Sequence, residues 1–271
     1  MTLDSWLRSH PYLQSVAQLH AQVDAATGAI SPLECSALAW EDYTYDFLGG
    51  VPLLRSSAVV IDYSPVEKII PSLLNRLVSS SLPTNLIEEV GSLRNELLRD
   101  ATAERHLIAG LLDHNSCPRP NSGFQRYLGW TVLAQYLRPL IEIFGRWRDE
   151  ERWLRNYCPT CGSLPAMAQL VGVDQGRQRF FCCGCCRTRC LYLRTGCPFC
   201  GNADDHRLAA LTVEGEGGLR IDYCEPCKGY LKTYAGEGSE GVFLADWTSI
   251  HLDVIACDRG LKRLAASLYE L

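Results

Sequence analysis

Tyr157-Cys158-Pro159-Thr160-Cys161-Gly162 opens a stretch whose second half begins almost identically, with Cys197-Pro198-Phe199-Cys200-Gly201. Each copy runs into short β-like segments and then a further Cys-x-x-Cys, written Cys183/Cys186 in the first copy and Cys224/Cys227 in the second. A unit that recurs after about forty residues is the mark of a small motif present twice. The gaps between successive pairs are 21, 10 and 23 residues. Two residues between cysteines make a tight turn that aims both sulfurs at one point, and a glycine after the second cysteine permits a left-handed backbone. Two such knuckles joined by a hairpin build a tetrahedral four-sulfur site for zinc or iron.

A gap of 21 or 23 residues holds a two-stranded hairpin, whereas 10 residues suit a connector. Neighbouring pairs are therefore expected to combine: Cys158, Cys161, Cys183 and Cys186 in one site, Cys197, Cys200, Cys224 and Cys227 in the other. A crossed pairing, first knuckle with third and second with fourth, stays open at this level. So does the frame within Cys182-Cys183-Gly184-Cys185-Cys186, where Cys182/Cys185 overlaps Cys183/Cys186.

Outward from the cysteines, the pattern changes on both sides. Upstream, Leu13, Val16, Leu19 and Val23 recur at helical spacing, and Val66, Ile69, Ile70, Leu73, Leu74 and Leu77 follow Ser64, Pro65 and Glu67, which suit an N-cap, a first-turn proline and a capping acid. Thr84 to His114 and Gly123 to Arg155 continue as amphipathic stretches, with Trp130, Tyr136 and Trp147 read as core. Downstream, Met167–Val173, 177–181, 191–193, 208–213 and 219–223 are β-like, and Glu214-Gly-Glu-Gly-Gly218 is a hairpin signal. Helical periodicity returns from Ala245. The expected architecture is α+β: a helical domain over 1–155, four-cysteine ribbons over 156–195 and 196–240, and a C-terminal helix over 241–271.

The whole chain agrees with this reading. Its 271 residues are 47% hydrophobic, enough for a substantial core. Of 14 cysteines, those outside the ribbons, Cys35, Cys117 and Cys257, read as isolated small side chains. Met1 to His20 lacks an apolar export segment and no run spans a bilayer, so a cytoplasmic chain with reduced thiols and no membrane insertion is expected. The net charge of −5 comes from residues 1–150, leaving the ribbon half balanced and without the basic excess of a nucleic-acid-binding ribbon. His10, His20, His106, His114, His206 and His251 show no ligand spacing and read as packing or surface residues. No phosphate-cradling loop or Ser/His/Asp set is visible.

Tyr157-Cys-Pro-Thr-Cys-Gly-Ser-Leu-Pro165, Arg194 with Cys197-Pro-Phe-Cys200, and Cys224-Glu-Pro-Cys-Lys-Gly-Tyr-Leu-Lys232 together resemble the FdhE family of formate dehydrogenase accessory proteins. The likeness extends over about 157–260 and is looser upstream. It implies the Cys183/Cys186 frame, two rubredoxin-like metal centres with iron favoured and zinc the alternative, and a maturation factor that binds the catalytic subunit of a formate dehydrogenase without turning over substrate. Cys190 stands where the family pattern has tryptophan, and Arg187 and Lys228 follow their knuckles in place of glycine. The competing expectation is a thiol or electron-transfer protein using rubredoxin-like iron or the extra thiols Cys182, Cys185 and Cys190.

Overall fold

A computed structural model describes residues 1–28, 30–33, 40–79, 82–99, 122–173 and 176–267. Cys35, Cys117, His106 and His114 lie outside them. Helices α1 (Leu3–Ser9), α2 (Gln14–Thr27), α3 (Trp40–Gly49), α4 (Ser64–Val78), α5 (Thr84–Arg99), α6 (Ser122–Trp147) and α7 (Glu150–Trp153) precede the first strand. On α4 the apolar positions Val66, Ile70, Leu73, Leu74 and Leu77 face one way and are all buried. They share a core with Val90, Leu93 and Leu97 of α5 and Leu133, Leu137 and Leu140 of α6. Trp130 and Tyr136 are buried there too, and Trp147 packs against the same core. One local expectation shifts by a residue: Ser64 is inside α4, Tyr63 is its cap, and the Asp62 carboxylate accepts from the Ser64 N–H at 2.9 Å. A carboxylate two residues earlier is a stronger acceptor than the serine hydroxyl.

Six strands follow: β1 (Met167–Val171), β2 (Gln178–Cys182), β3 (Arg189–Tyr192), β4 (Leu208–Thr212), β5 (Leu219–Cys224) and β6 (Tyr230–Ala235). Each ribbon supplies three antiparallel strands, but the ribbons are not merely stacked. They form one sheet in the order β3-β2-β1-β6-β5-β4, welded by parallel pairing of β1 with β6 from Met167↔Lys232 to Leu170↔Ala235. Because β3 and β4 sit at opposite edges, their connector must pass the four strands between them, about 24 Å at the usual strand spacing. The β3 edge is closed by the start of α7: the Glu150 carboxylate accepts from the Leu191 N–H at 3.0 Å, and Arg148 donates to the Arg189 carbonyl.

One sheet face packs Leu219, Ile221, Tyr230 and Tyr234 against Trp6 and Leu13 at the N-terminus and against Phe243, Trp247 and Leu252 of the C-terminal segment. Among the described residues that segment is helical over α8 (Glu240–Phe243), a 3-10 turn (Asp246–Ser249) and α9 (Ile250–Asp258); beyond Asp258 the chain is held by Lys262, whose backbone bonds Lys228 and Tyr230. Beneath it lies a buried charge cluster. Lys232, fully buried, reaches Asp246 at 2.8 Å and Asp253 at 2.6 Å; Arg263 reaches the same two carboxylates at 2.7 Å each; Tyr230 donates to Asp253 at 2.8 Å.

His20 on α2 ties the two halves together, its ring 4.9 Å from that of Trp247 and 5.0 Å from that of Tyr127. Burial, helped by the Arg187 charge and opposed by Asp246, pushes its pKa down to about 3. A depressed histidine resists the proton that the unfolded chain accepts near pH 6.5, so its stabilisation is complete above that pH and is lost as pH falls towards 3. A His20→Phe variant is expected to keep the aromatic contacts and to flatten the stability profile between pH 6.5 and 4 by up to about 1.4 kcal/mol per pH unit relative to wild type. Urea titrations of both proteins across that range measure it, and parallel profiles would contradict the assignment.

Candidate metal centres

All four Cys-x-x-Cys turns have one geometry. The N–H of the first cysteine donates to the carbonyl five residues on: Cys158 to Ser163 at 2.8 Å, Cys183 to Thr188 at 2.9 Å, Cys197 to Asn202 at 2.8 Å and Cys224 to Gly229 at 3.0 Å. The fourth residue after that cysteine donates back to its carbonyl and has a positive φ. Gly162 and Gly201 fill this position in two turns, at φ 84° and 72°. Arg187 and Lys228 fill it in the others at 62° and 59°. A non-glycine residue there costs about 1–2 kcal/mol, which the surrounding turn must offset.

The turns combine as neighbours. Site one gathers the sulfurs of Cys158, Cys161, Cys183 and Cys186 within 4.8 Å of one another, with Cys158–Cys186 and Cys161–Cys183 both 3.4 Å apart. Site two gathers Cys197, Cys200, Cys224 and Cys227, with 3.7 Å between Cys197 and Cys227 and between Cys200 and Cys224. A tetrahedral ion with metal–sulfur bonds of about 2.3 Å sets its sulfurs about 3.8 Å apart. Both clusters therefore fit such an ion in donor type and spacing.

Their surroundings differ. The four sulfurs of site one belong to residues at most 6% exposed, and they sit in the same hydrophobic core as the helices. Leu53 and Leu54 donate to the carbonyls of Pro159 and Thr160 at 2.8 and 2.9 Å, so helical-half backbone holds the first knuckle. The hydroxyls of Thr160 and Thr188 meet at 2.7 Å across the site, and Ser163 and Thr188 lie 3.3 and 3.1 Å from the sulfurs of Cys161 and Cys186. Burial first, then neighbouring thiols, hold Cys161 and Cys186 well above the usual thiol range; Cys183 rises chiefly through its hydrogen bond with Cys158. Burial acts the same way on Cys158, but three S–H donors overcome it and draw this pKa down. Four crowded sulfurs without a cation thus keep most of their protons, and binding a divalent ion would release them.

Site two lies at the surface. Cys200 is exposed and Cys227 half-buried. Burial pushes Cys197 up to about 12 and raises Cys224, whereas the Asn202 N–H lowers the pKa of Cys200. In protein with site one loaded and site two empty, iodoacetamide is expected to modify Cys200 at least tenfold faster than Cys197, Cys224 and Cys227, with exposed Cys257 as the reference, and loading site two should abolish the difference. Peptide mass mapping reads the order; uniform labelling would contradict it.

The overlapping cysteines fall elsewhere. Cys182 ends β2 opposite Met167 and packs towards the C-terminal core, and burial pushes its thiol up to about 12. Cys185 is 3% exposed in the helical core. Cys190, 2% exposed on β3, packs with Ala168, Phe181 and Leu231, and burial holds it well above the thiol range. None of the three is an exposed thiol.

A third cluster was not legible in the sequence. His10 and His251, far apart in the chain, meet around the buried Glu216 of the β4–β5 hairpin: His251 Nε2 is 2.6 Å and His10 Nε2 3.5 Å from its carboxylate oxygens. His10 also bonds the Trp6 carbonyl through Nδ1 at 3.0 Å and stacks on Trp6 at 3.7 Å, the packing role its lone position suggested. His251 takes the packing alternative as well: it is partly buried, and burial lowers its pKa despite Glu216. No spacing rule links residues that only the sheet brings together.

The fold and sites define a class: a helical body carrying a tandem of four-sulfur knuckle ribbons in one sheet. No family model matches the chain. It is 29% identical over 223 residues to an FdhE homolog of Aquifex aeolicus, covering 79% of this chain and 73% of that one. Protein FdhE of Salmonella newport and an FdhE homolog of Citrobacter koseri are each 30% identical over 138 residues, 49% of this chain and 44% of theirs. The crystal structure of the FdhE protein from Pseudomonas aeruginosa superposes with a TM-score of 0.61 over 95% of this chain and 88% of that one at 22% identity, which shows a shared fold. In sequence over most of its length, and in fold, the chain is thus similar to FdhE proteins.

Proposed function

We propose that this protein is a cytoplasmic maturation factor that binds the catalytic subunit of a formate dehydrogenase, and that Cys158, Cys161, Cys183, Cys186 and Cys197, Cys200, Cys224, Cys227 each hold one metal ion. The likeness to FdhE proteins carries the reading. Supporting it is the position of site one, where four sulfurs complete a core shared by helices and ribbon. A metal there cross-links the two halves into one platform, and bound at either site it supplies shape and, if it is iron, a one-electron couple. With four sulfurs around each ion no position is left for substrate, so the protein itself does not oxidise formate. The redox-enzyme alternative draws nothing from Cys182, Cys185 and Cys190, which are wholly or largely buried.

A pull-down with the catalytic subunit, comparing wild type with a Cys197→Ser, Cys200→Ser double variant, tests the reading. Wild type should capture the subunit and the variant should lose it. Retention by the variant would detach binding from the second ribbon, and no capture by metal-loaded wild type would remove the accessory role.

A further inference from the structure

One nitrogen from each of His10 and His251 and one carboxylate oxygen of Glu216 all lie within 4.8 Å of one another. The three residues come from separate places in the chain. His10 caps the end of α1, Glu216 sits in the turn between β4 and β5, and His251 is in the first turn of α9. The Glu216 side chain is 10% exposed, and among the described residues the two imidazoles are its only charge partners. A carboxylate taken out of water needs a cation beside it, and an imidazole is one only while protonated.

The His10 ring is set for another kind of cation. The Trp6 carbonyl, 3.0 Å from Nδ1, can only accept, so the neutral ring carries its proton on Nδ1 and turns the Nε2 lone pair to Glu216. Two lone-pair bearers 3.5 Å apart repel unless a positive charge stands between them. Trp6, stacked on the ring at 3.7 Å and itself held by its Nε1–H bond to the Thr248 carbonyl at 2.9 Å, fixes that orientation. A ring anchored through Nδ1–H on a backbone carbonyl is the usual arrangement of a metal-ligating histidine. Zinc bonds imidazole nitrogen and carboxylate oxygen at about 2.0–2.2 Å, which sets tetrahedral ligand atoms about 3.4 Å apart. The His10–Glu216 separation meets this. His251 Nε2, 2.6 Å from the other Glu216 oxygen, holds a hydrogen bond that an ion would replace, and its ring proton would pass to Nδ1, which is buried without a partner. That cost, with a fourth position left to water, places the affinity below that of the four-sulfur centres.

We infer that His10, Glu216 and His251 form a third metal site, for a first-row divalent ion of the zinc class, which fills when the ion is supplied and ties α1 and α9 to the β4–β5 turn. Nitrogen and oxygen donors without sulfur separate it chemically from the cysteine centres. The inference goes beyond the maturation reading and does not depend on the partner. Its rival is a metal-free ion pair in which a protonated histidine balances Glu216.

Cobalt(II) added to the full chain, with both four-sulfur sites already filled with zinc, separates these. One further equivalent is expected to bind with micromolar affinity and to give visible ligand-field absorption without the sulfur-to-metal charge-transfer bands of cobalt on cysteine. The thermal midpoint of the same protein should rise with added zinc. Glu216→Gln, which keeps the shape of the side chain, and His251→Gln should each weaken cobalt binding at least tenfold and abolish the thermal shift, with the zinc held by the cysteines unchanged. If one variant fails to fold, the other decides. No uptake by wild type at hundredfold excess of cobalt would overturn the inference and leave the ion pair. Equal binding by wild type and both variants, or bands of the sulfur type, would overturn it by placing the ion elsewhere.

Discussion

Cys183→Ser is expected to reduce the metal content from two ions per chain to one and to unfold the helical half along with the first ribbon. The size of the effect follows from where site one sits. Structural zinc sites contribute about 10–16 kcal/mol of binding energy, which exceeds the 5–15 kcal/mol by which whole domains are stable. Cys183 is 6% exposed inside a core it shares with Leu53, Tyr43 and Phe144, so an emptied site leaves polar thiols in the middle of helical packing. Cys182→Ser, at the neighbouring position but outside the cluster, should keep both ions and cost less than about 1.5 kcal/mol. Elemental analysis with thermal unfolding compares the two. Equal losses would mean that the cluster uses Cys182 and the knuckle geometry is misread.

Lys232→Met should cost about 3–5 kcal/mol. Removing this fully buried ammonium leaves two carboxylates, Asp246 and Asp253, facing the single guanidinium of Arg263 with the Tyr230 hydroxyl still donating to Asp253, and an uncompensated carboxylate charge in a dry interior is expensive. The contact between β6 and the C-terminal segment should loosen first. An added Asp253→Asn substitution, which removes one of the stranded charges, should recover part of the loss. The midpoint of urea unfolding reads both, and a loss below about 1 kcal/mol for the single variant would show the cluster to be energetically neutral.

This same lysine explains one gap between sequence and structure. Five of the six strands stand out as β-like runs, but Tyr230–Ala235 does not, because a lysine at its centre contradicts burial. Only partners from a segment fourteen and more residues later make it a core strand, and that strand welds the ribbons. Local signals fared better. The knuckle spacing alone anticipated the neighbour grouping that the sulfurs adopt, and the Glu214–Gly218 turn is the β4–β5 hairpin. The frame at Cys182–Cys186 needed a family likeness, since both readings have the same spacing. Left-handed backbone at Arg187 and Lys228 had no glycine to announce it.

The strand order also carries a consequence for solubility. Within each ribbon the first strand is at one side and the third at the other, and at the seam β1 of the first ribbon meets β6, the third of the second. The two copies are thus related by a shift along the sheet, not by a dyad. A series built by translation has unlike ends that complement each other: the outer side of β4 corresponds to the side of β1 that accepted β6, and the outer side of β3 to the side of β6 that accepted β1. Repeating the seam between molecules would give an open, non-closing fibre. Glu150 and Arg148 occupy the β3 end by bonding the backbone groups that a further strand would need. A short helix and two side chains thereby terminate at two a repeat whose geometry has no internal reason to stop.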